Sequence, residues 1–247
     1  ASRPILQIDG LSKEFGGVTA LAGASIEVRE GESCTLVGPN GAGKTPLFNC
    51  VMGTFPPTDG TVRLRDEDIT SQPTHETVTS GLSRTYQIPR VFPELTVRAN
   101  MEVNQRHDDE SMFSTVYRQT DAETDAEIDR WLSFVGLGSM AESNAGELST
   151  GQQKLLNIAA TLVRDPDVLL LDEPTAGVNP GLVDDIADLL VELNDRGRTF
   201  FIIEHDMDFV RQISDYIYVL ANGTNLVEGP PGDALNDPRV LESYFGR

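Results

Sequence analysis

Gly38-Pro39-Asn40-Gly41-Ala42-Gly43-Lys44-Thr45 meets the pattern G-x-x-x-x-G-K-[ST] at every fixed position, and that pattern describes a loop built to hold phosphate. Its glycines let the backbone curl around an anion with several N–H groups turned inward. Lys44 would reach the β- and γ-phosphates, and the Thr45 hydroxyl would ligate Mg²⁺. The alternative for these eight residues alone is a glycine-rich turn that matches by chance. Pro46 follows, acceptable in a first helical turn where its missing N–H has no partner to lose.

Other groups along the chain suit the same chemistry. Val168-Leu169-Leu170-Leu171 is an apolar run that ends in Asp172-Glu173, the expected carboxylate partner of a phosphate loop in a parallel sheet. Asp172 would hold Mg²⁺ through water. Pro174 keeps Glu173 out of helical geometry, leaving a carboxylate at the strand's C-terminal edge, where it can orient and deprotonate water. His205, in Glu204-His205-Asp206, also stands at a strand end; such a histidine is ordinarily structural, but a neutral imidazole there could bond a γ-phosphate. Ser149, in Leu148-Ser149-Thr150-Gly151-Gln152-Gln153, is a good helix N-cap and also part of a possible anion site. Phe15 reads as core or as a flat surface for a nucleobase. Gln87, before Pro89, reads alone as a solvated loop residue, and His75 and His107 read the same way.

The elements that must position these groups follow from pattern. Short strands are expected at Ile5–Ile8, Ala24–Val28, Ser33–Val37, Gly60–Leu64, Leu82–Tyr86, Val168–Leu171, Thr199–Ile203, Tyr216–Ala221 and Asn225–Glu228. Gly16-Gly17 and Asn222-Gly223 mark turns. A helix over Leu47–Met52 leaves the phosphate loop between strand and helix. Thr74–Gly81 reads as a short helix capped by Thr74. From Phe92 to Gly146 the pattern is mostly helical, with helices at Val97–Gln105 and Ala122–Phe134, so an inserted helical subdomain is expected. Its acids Asp121, Glu123, Asp125, Glu127 and Asp129 have only Arg130 near them and read as a solvated face, not a metal site. A helix from Ser149 to about Arg164 buries Leu155, Leu156, Ile158, Ala159, Leu162 and Val163. Later helices are expected at Asp184–Leu193, in a segment starting near Leu182, and at Asp237–Phe245.

The 247 residues and 39% hydrophobic content suffice for one α/β domain carrying a subdomain. No apolar run approaches the roughly 20 residues that span a bilayer. Ala1-Ser2-Arg3-Pro4 lacks the apolar core of a signal peptide, and Cys34 and Cys50 suggest no disulfide framework, which together fit a reducing cytoplasm; both cysteines read as buried filler. The net charge of −20 disfavours nucleic acid, whose phosphates need Lys and Arg. Only Lys13, Lys44 and Lys154 are lysines. An acid excess spread along the whole chain suggests a high-salt cytoplasm, where screening lengths shrink to about 3 Å near 1 M.

With these pieces placed, the chain resembles the ATP-binding subunits of ABC transporters over essentially its full length: the phosphate loop, Gln87, the Leu148–Gln152 signature, Asp172-Glu173 and His205 occur in family order. The resemblance implies an α/β fold, a P-loop NTPase (RecA-like) core with an antiparallel β subdomain over about 1–90 and 166–247, and a helical subdomain over about 91–165. It implies an ATPase in which Gly38, Pro39, Asn40, Gly41, Ala42, Gly43, Lys44, Thr45 and Pro46 bind ATP and Phe15 stacks on adenine. Gln87 would touch Mg²⁺ and sense a membrane partner, Glu173 would be the general base, and His205 would contact the γ-phosphate. Two such subunits would sandwich two nucleotides, with Ser149, Gly151, Gln152 and Asn179 acting in trans and Ala176-Gly177-Val178-Asn179-Pro180 lying between the sites.

Arg84-Thr85-Tyr86-Gln87-Ile88-Pro89-Arg90-Val91-Phe92-Pro93, Glu204-His205-Asp206-Met207 and Asn236-Asp237-Pro238-Arg239-Val240 look like the branched-chain amino-acid importer ATPases. Importers of amides, urea or other amino acids share much of this, as does a lipopolysaccharide-export ATPase. The implied partners are a second ATPase subunit, identical or a sister chain, an integral-membrane permease and, indirectly, an external solute-binding protein, with this chain peripheral at the cytoplasmic face. Pro46, Thr150 and Asn179 depart from the commoner family residues; Pro46 removes a hydroxyl near the α-phosphate. The competing readings are a soluble ABC ATPase acting in DNA repair or on ribosomes, and a nucleotide-binding regulator without turnover.

Overall fold

The computed structural model describes residues 3–86, 91–105 and 122–245. Two long strands, β1 (Pro4–Phe15) and β2 (Val18–Arg29), open the chain as a hairpin. Both exceed the short strands expected from sequence, because register shifts between Ile8/Leu11 and Lys13/Glu14 let the ladder continue across residues that break strict alternation. Gly16-Gly17 makes the turn, with both residues at positive φ as a tight hairpin demands.

The path continues through β3 (Ser33–Val37), α1 (Lys44–Val51), β4 (Asp59–Leu64), β5 (Glu67–Asp68), α2 (Thr74–Thr79) and β6 (Leu82–Arg84). Then come α3 (Val97–Gln105), α4 (Ala122–Phe134) and α5 (Thr150–Leu162). The remainder is β7 (Val168–Asp172), α6 (Pro180–Asp195), β8 (Phe200–Ile203), α7 (Met207–Ile213), β9 (Tyr216–Ala221), β10 (Thr224–Gly229), α8 (Pro231–Ala234) and α9 (Pro238–Phe245). The short elements β5, α7 and α8 had no clear signal in the sequence.

Some expectations shift in detail. Pro73, not Thr74, occupies the extended N-cap position of α2, which has no side-chain cap. Helix α6 starts at Pro180, earlier than expected, because the Asn179 side chain caps it by accepting from the Leu182 N–H at 3.1 Å. Among the acids of α4, Asp129 is not merely solvated: it pairs with Arg98 from α3, while Arg130 Nε donates instead to the Ala126 carbonyl. Asp121, Gln87 and His107 lie outside the described residues.

The strands form two sheets. One is antiparallel, in the order β2-β1-β4-β5; the other is six-stranded, in the order β10-β9-β3-β8-β7-β6, parallel except for the β9–β10 hairpin. Alternate side chains of the parallel strands enter different cores. Leu169, Leu171, Phe200 and Ile202 pack with α3 to α7, whereas Leu36, Leu170, Phe201 and Ile203 pack with α1 and the antiparallel sheet. Burial on both faces explains why these strands read as continuous apolar runs. Cys34 and Cys50 lie in the second core as free thiols, and burial pushes Cys50 up to about 11, so both are filler as expected.

The layering fixes the site. Strands β6, β7, β8 and β3 are parallel neighbours, so the segments after Arg84, Asp172, Ile203 and Val37 all emerge at one sheet edge. In open α/β sheets that edge is where ligands bind.

Candidate nucleotide site

The phosphate loop runs from the end of β3 into α1, whose N-terminus has no side-chain cap. Its first-turn N–H groups are therefore available to an anion. Gly43 sits at φ 105°, and a Cβ there would lie 2.5 Å from the Ala20 carbonyl oxygen; a Cβ on Gly38 would run into the Leu220 carbonyl. The glycines at these two positions are thus required by packing as well as by conformation. Pro46 falls within the first turn of α1, where its lack of an N–H breaks no helical bond.

Lys44 is buried, and its Nζ donates to the carbonyls of Gly38 at 2.7 Å and Pro39 at 3.1 Å. Desolvation lowers its pKa, and the nearby Glu173 and Asp172 carboxylates oppose that shift. Lys44 thus shares one electrostatic neighbourhood with the end of β7. Thr45 is exposed at the helix start.

At the end of β7, Asp172 is buried and accepts from Arg84 Nη2 at 2.5 Å through Oδ2, which leaves Oδ1 uncommitted among the described residues. Arg84 is itself buried; its Nη1 donates to Asn49 Oδ1 at 2.7 Å, and its guanidinium carbon lies 5.3 Å from the Phe48 ring centre and 5.0 Å from that of Tyr86. Glu173 follows at φ 48°, in the left-handed region that L-residues seldom occupy. This departure from right-handed helical geometry agrees with the expectation from Pro174. Its Oε1 lies 2.8 Å from His205 Nε2, so the histidine after β8 meets the carboxylate after β7.

Phe15 ends β1 and is 45% exposed. Phe55 meets it edge-on at 5.1 Å, and the Lys13 ammonium lies over both rings. An aromatic ring with an open face and a rigid backing can stack a base.

The remaining expected residues gather elsewhere. Ser149 caps α5 in a full capping box: it accepts from the Gln152 N–H at 3.3 Å, while Gln152 Oε1 accepts from the Ser149 N–H at 3.0 Å. Gly151 packs so tightly on Leu182 and Val178 that an added Cβ would clash. Asn179 caps α6. Helix α5 packs in a different core from α1, and Gly151 at its start meets Val178 and Leu182 beside the Asn179 cap of α6.

Sequence reasoning passed over Arg84, Lys154 and Glu204 as individual site residues. Lys154 is buried on α5 and its Nζ donates to the Glu173 carbonyl at 2.8 Å; desolvation lowers its pKa against the attraction of Glu204, Glu173 and Asp172. A signal existed, since two of the chain's three lysines, Lys44 and Lys154, are spent on this buried neighbourhood.

Residues 21–176 match the family described as ABC transporter. The chain belongs to that family. Its cassettes are ATPases and bind ATP. The chain is similar to BraF, a high-affinity branched-chain amino acid transport ATP-binding protein of Pseudomonas aeruginosa, at 40% identity covering 99% of each. It is 39% identical to a probable branched-chain amino acid transport ATP-binding protein, LivG, of Archaeoglobus fulgidus, covering 98% of this chain and 95% of that one. A crystal structure of the ADP conformation of an ATP-binding cassette of an ABC transporter superposes with a TM-score of 0.88, at 35% identity and covering 100% of each chain. The fold is accordingly that of the P-loop NTPase cassettes.

The Arg84–Asp172 pair yields a direct prediction. Replacing Arg84 by Leu strands a buried carboxylate, and removal of one partner from such a pair costs about 3–5 kcal/mol. Urea unfolding of Arg84→Leu should show a loss of that order, partly recovered in Arg84→Leu/Asp172→Asn; equal stability of the single variant and the wild type would contradict the pairing.

Proposed function

We propose that this chain is the ATP-hydrolysing subunit of an importer of branched-chain or related amino acids, working through a separate membrane permease. The observation that carries the reading is the meeting of Glu173 and His205 beside Lys44 at the strand edge, in a chain similar along its length to transport ATP-binding proteins.

In this reading the β- and γ-phosphates lie on the Gly38–Thr45 backbone and draw Lys44 Nζ from the loop carbonyls it now bonds. Phe15 stacks the adenine. Glu173 orients a water and accepts its proton as the water oxygen bonds the γ-phosphorus and the bond to the bridging oxygen breaks, releasing ADP and phosphate. His205, whose Nε2 contacts Glu173 at 2.8 Å, turns its one N–H to the γ-phosphate when nucleotide is bound. The uncommitted Oδ1 of Asp172 and the exposed Thr45 hydroxyl suit a hard divalent cation. Mg²⁺ held by Thr45, Asp172 and Gln87 would neutralise charge on the phosphates. Pro46 offers no hydroxyl to the α-phosphate, which should weaken ATP binding.

Ser149, Gly151, Gln152 and Asn179 act on the nucleotide of a second subunit, identical or a sister chain. That they lie with a different core from α1 supports this. We assign residues 1–90 and 166–247 to the nucleotide core with its β subdomain and 91–165 to the helical subdomain, whose α3, α4 and α5 pack on one another and on β7, β8, α6 and α7. Among the described residues no helix is long and apolar enough to cross a membrane, consistent with a peripheral subunit at the cytoplasmic face. An external binding protein would supply solute to the permease. The net charge of −20 supports a high-salt cytoplasm and no nucleic-acid partner.

Glu173→Gln should bind ATP yet hydrolyse it at least about 100-fold more slowly, the scale of a lost general base; a wild type no faster than this variant would end the enzyme reading. Purified from its native membrane, the chain should carry a polytopic permease, and recovery with ribosomes or repair proteins would replace the transport reading. Its melting temperature should rise between dilute and 1 M KCl as self-repulsion is screened; no rise would remove the high-salt assignment.

A further inference from the structure

Glu204, the residue between β8 and His205, is 2% exposed, a burial a carboxylate tolerates only when fully bonded. Its Oε1 accepts from the Thr175 N–H at 2.9 Å and the Thr175 hydroxyl at 2.6 Å, and its Oε2 accepts from the His205 N–H at 2.8 Å and the Asp206 N–H at 3.4 Å. One oxygen thus holds the turn after β7, and the other holds the turn after β8. Buried Lys154 finds in Glu204 its strongest charge attraction while its Nζ holds the Glu173 carbonyl. The Glu173 N–H donates to the Ile203 carbonyl at 2.9 Å.

These bonds surround Glu173, the one non-glycine residue at positive φ among the described residues of the site. Such backbone strain persists only where the surroundings over-determine it. Ile203 fixes the amide of Glu173, Lys154 fixes its carbonyl, and Glu204 fixes Thr175 two residues on. The Glu173–His205 contact at 2.8 Å then closes a ring of bonded groups.

Resting on the ATPase reading above, we propose that Glu204 is a positioning residue that locks the strained Glu173 turn and the His205 backbone into one unit, so that the two groups are aligned on the γ-phosphate together. A carboxylate is needed because both of its oxygens face N–H donors. A glutamine in either orientation would turn its NH₂ towards one of them and leave that pair unbonded.

The test is a cycle on the 247-residue chain, using ATP turnover and equilibrium binding of a fluorescent ATP analogue. Glu204→Gln should lower kcat by about 10- to 100-fold, the scale of a small misplacement of reacting groups, with KM and analogue affinity changed by less than about 3-fold. In a His205→Ala background the same substitution should cost less than about 3-fold, because the groups act as a unit. Thr175→Val, which removes only the hydroxyl donor, should lower kcat in the same direction and be sub-additive with His205→Ala. Where Glu204→Gln fails to fold, the Thr175 cycle decides the matter alone. Unchanged kcat, multiplicative losses, or a parallel loss of analogue binding would overturn the proposal. A wild type without turnover would overturn the ATPase reading beneath it, whereas an active wild type matched by Glu204→Gln would overturn this inference alone.

Discussion

Asp172, Glu173 and Glu204 bring carboxylates together at the ends of two adjacent strands, and the structure there depends on the cations placed among them. Arg84 holds Asp172, Lys154 holds the Glu173 backbone within the field of Glu204, and Lys44 waits in the phosphate loop under the attraction of Glu173 and Asp172. Without these partners the like charges would repel in a poorly solvated space. The choice of cation follows geometry. Arg84 meets Asn49 and Asp172 at once through its planar fork, with two aromatic rings beside it, whereas Lys154 and Lys44 act as point charges on flexible stems that carbonyls can hold.

The same arrangement explains how an acidic chain concentrates positive charge where it is used. With 19 Lys and Arg against 39 Asp and Glu, most surface cations are outnumbered. The buried ones are not diluted in this way, because low solvent access makes each near pair stronger than a surface pair. A triphosphate entering the loop would add further negative charge next to Asp172 and Glu173. The cations already present, together with the N-terminus of α1, make such an anion tolerable.

Much of this was legible in the sequence because it is local. The phosphate loop, the apolar strand into Asp172-Glu173, the cap at Ser149 and the Asn222-Gly223 turn each declare themselves within a few residues, and each stands where expected. The first hairpin was read too short, since bulges interrupt its alternation without ending its pairing. What stayed hidden was non-local. Arg98 reaches Asp129, Arg84 reaches Asp172, and Glu204 reaches Thr175 across gaps that no window of periodicity spans. Asn179 was read for its place between two subunits, whereas its cap on α6 is a purely local property that a start near Leu182 concealed.

The capping roles of Ser149 and Asn179 do not compete with action on a partner's nucleotide. In the capping box Ser149 Oγ uses a lone pair to accept from the Gln152 N–H, and among the described residues its own hydroxyl hydrogen has no acceptor. A phosphate oxygen would need such a donor, so the cap would present the serine to an anion while completing the helix start. Asn179 likewise accepts with Oδ1 and keeps its amide NH₂ for another group. Gly151 extends the argument to shape: its closeness to Leu182 and Val178 ties the start of α5 to the start of α6. The surface that would face a second nucleotide is therefore set by the same packing that joins these two helices, and a change that loosened the helices would displace both caps at once.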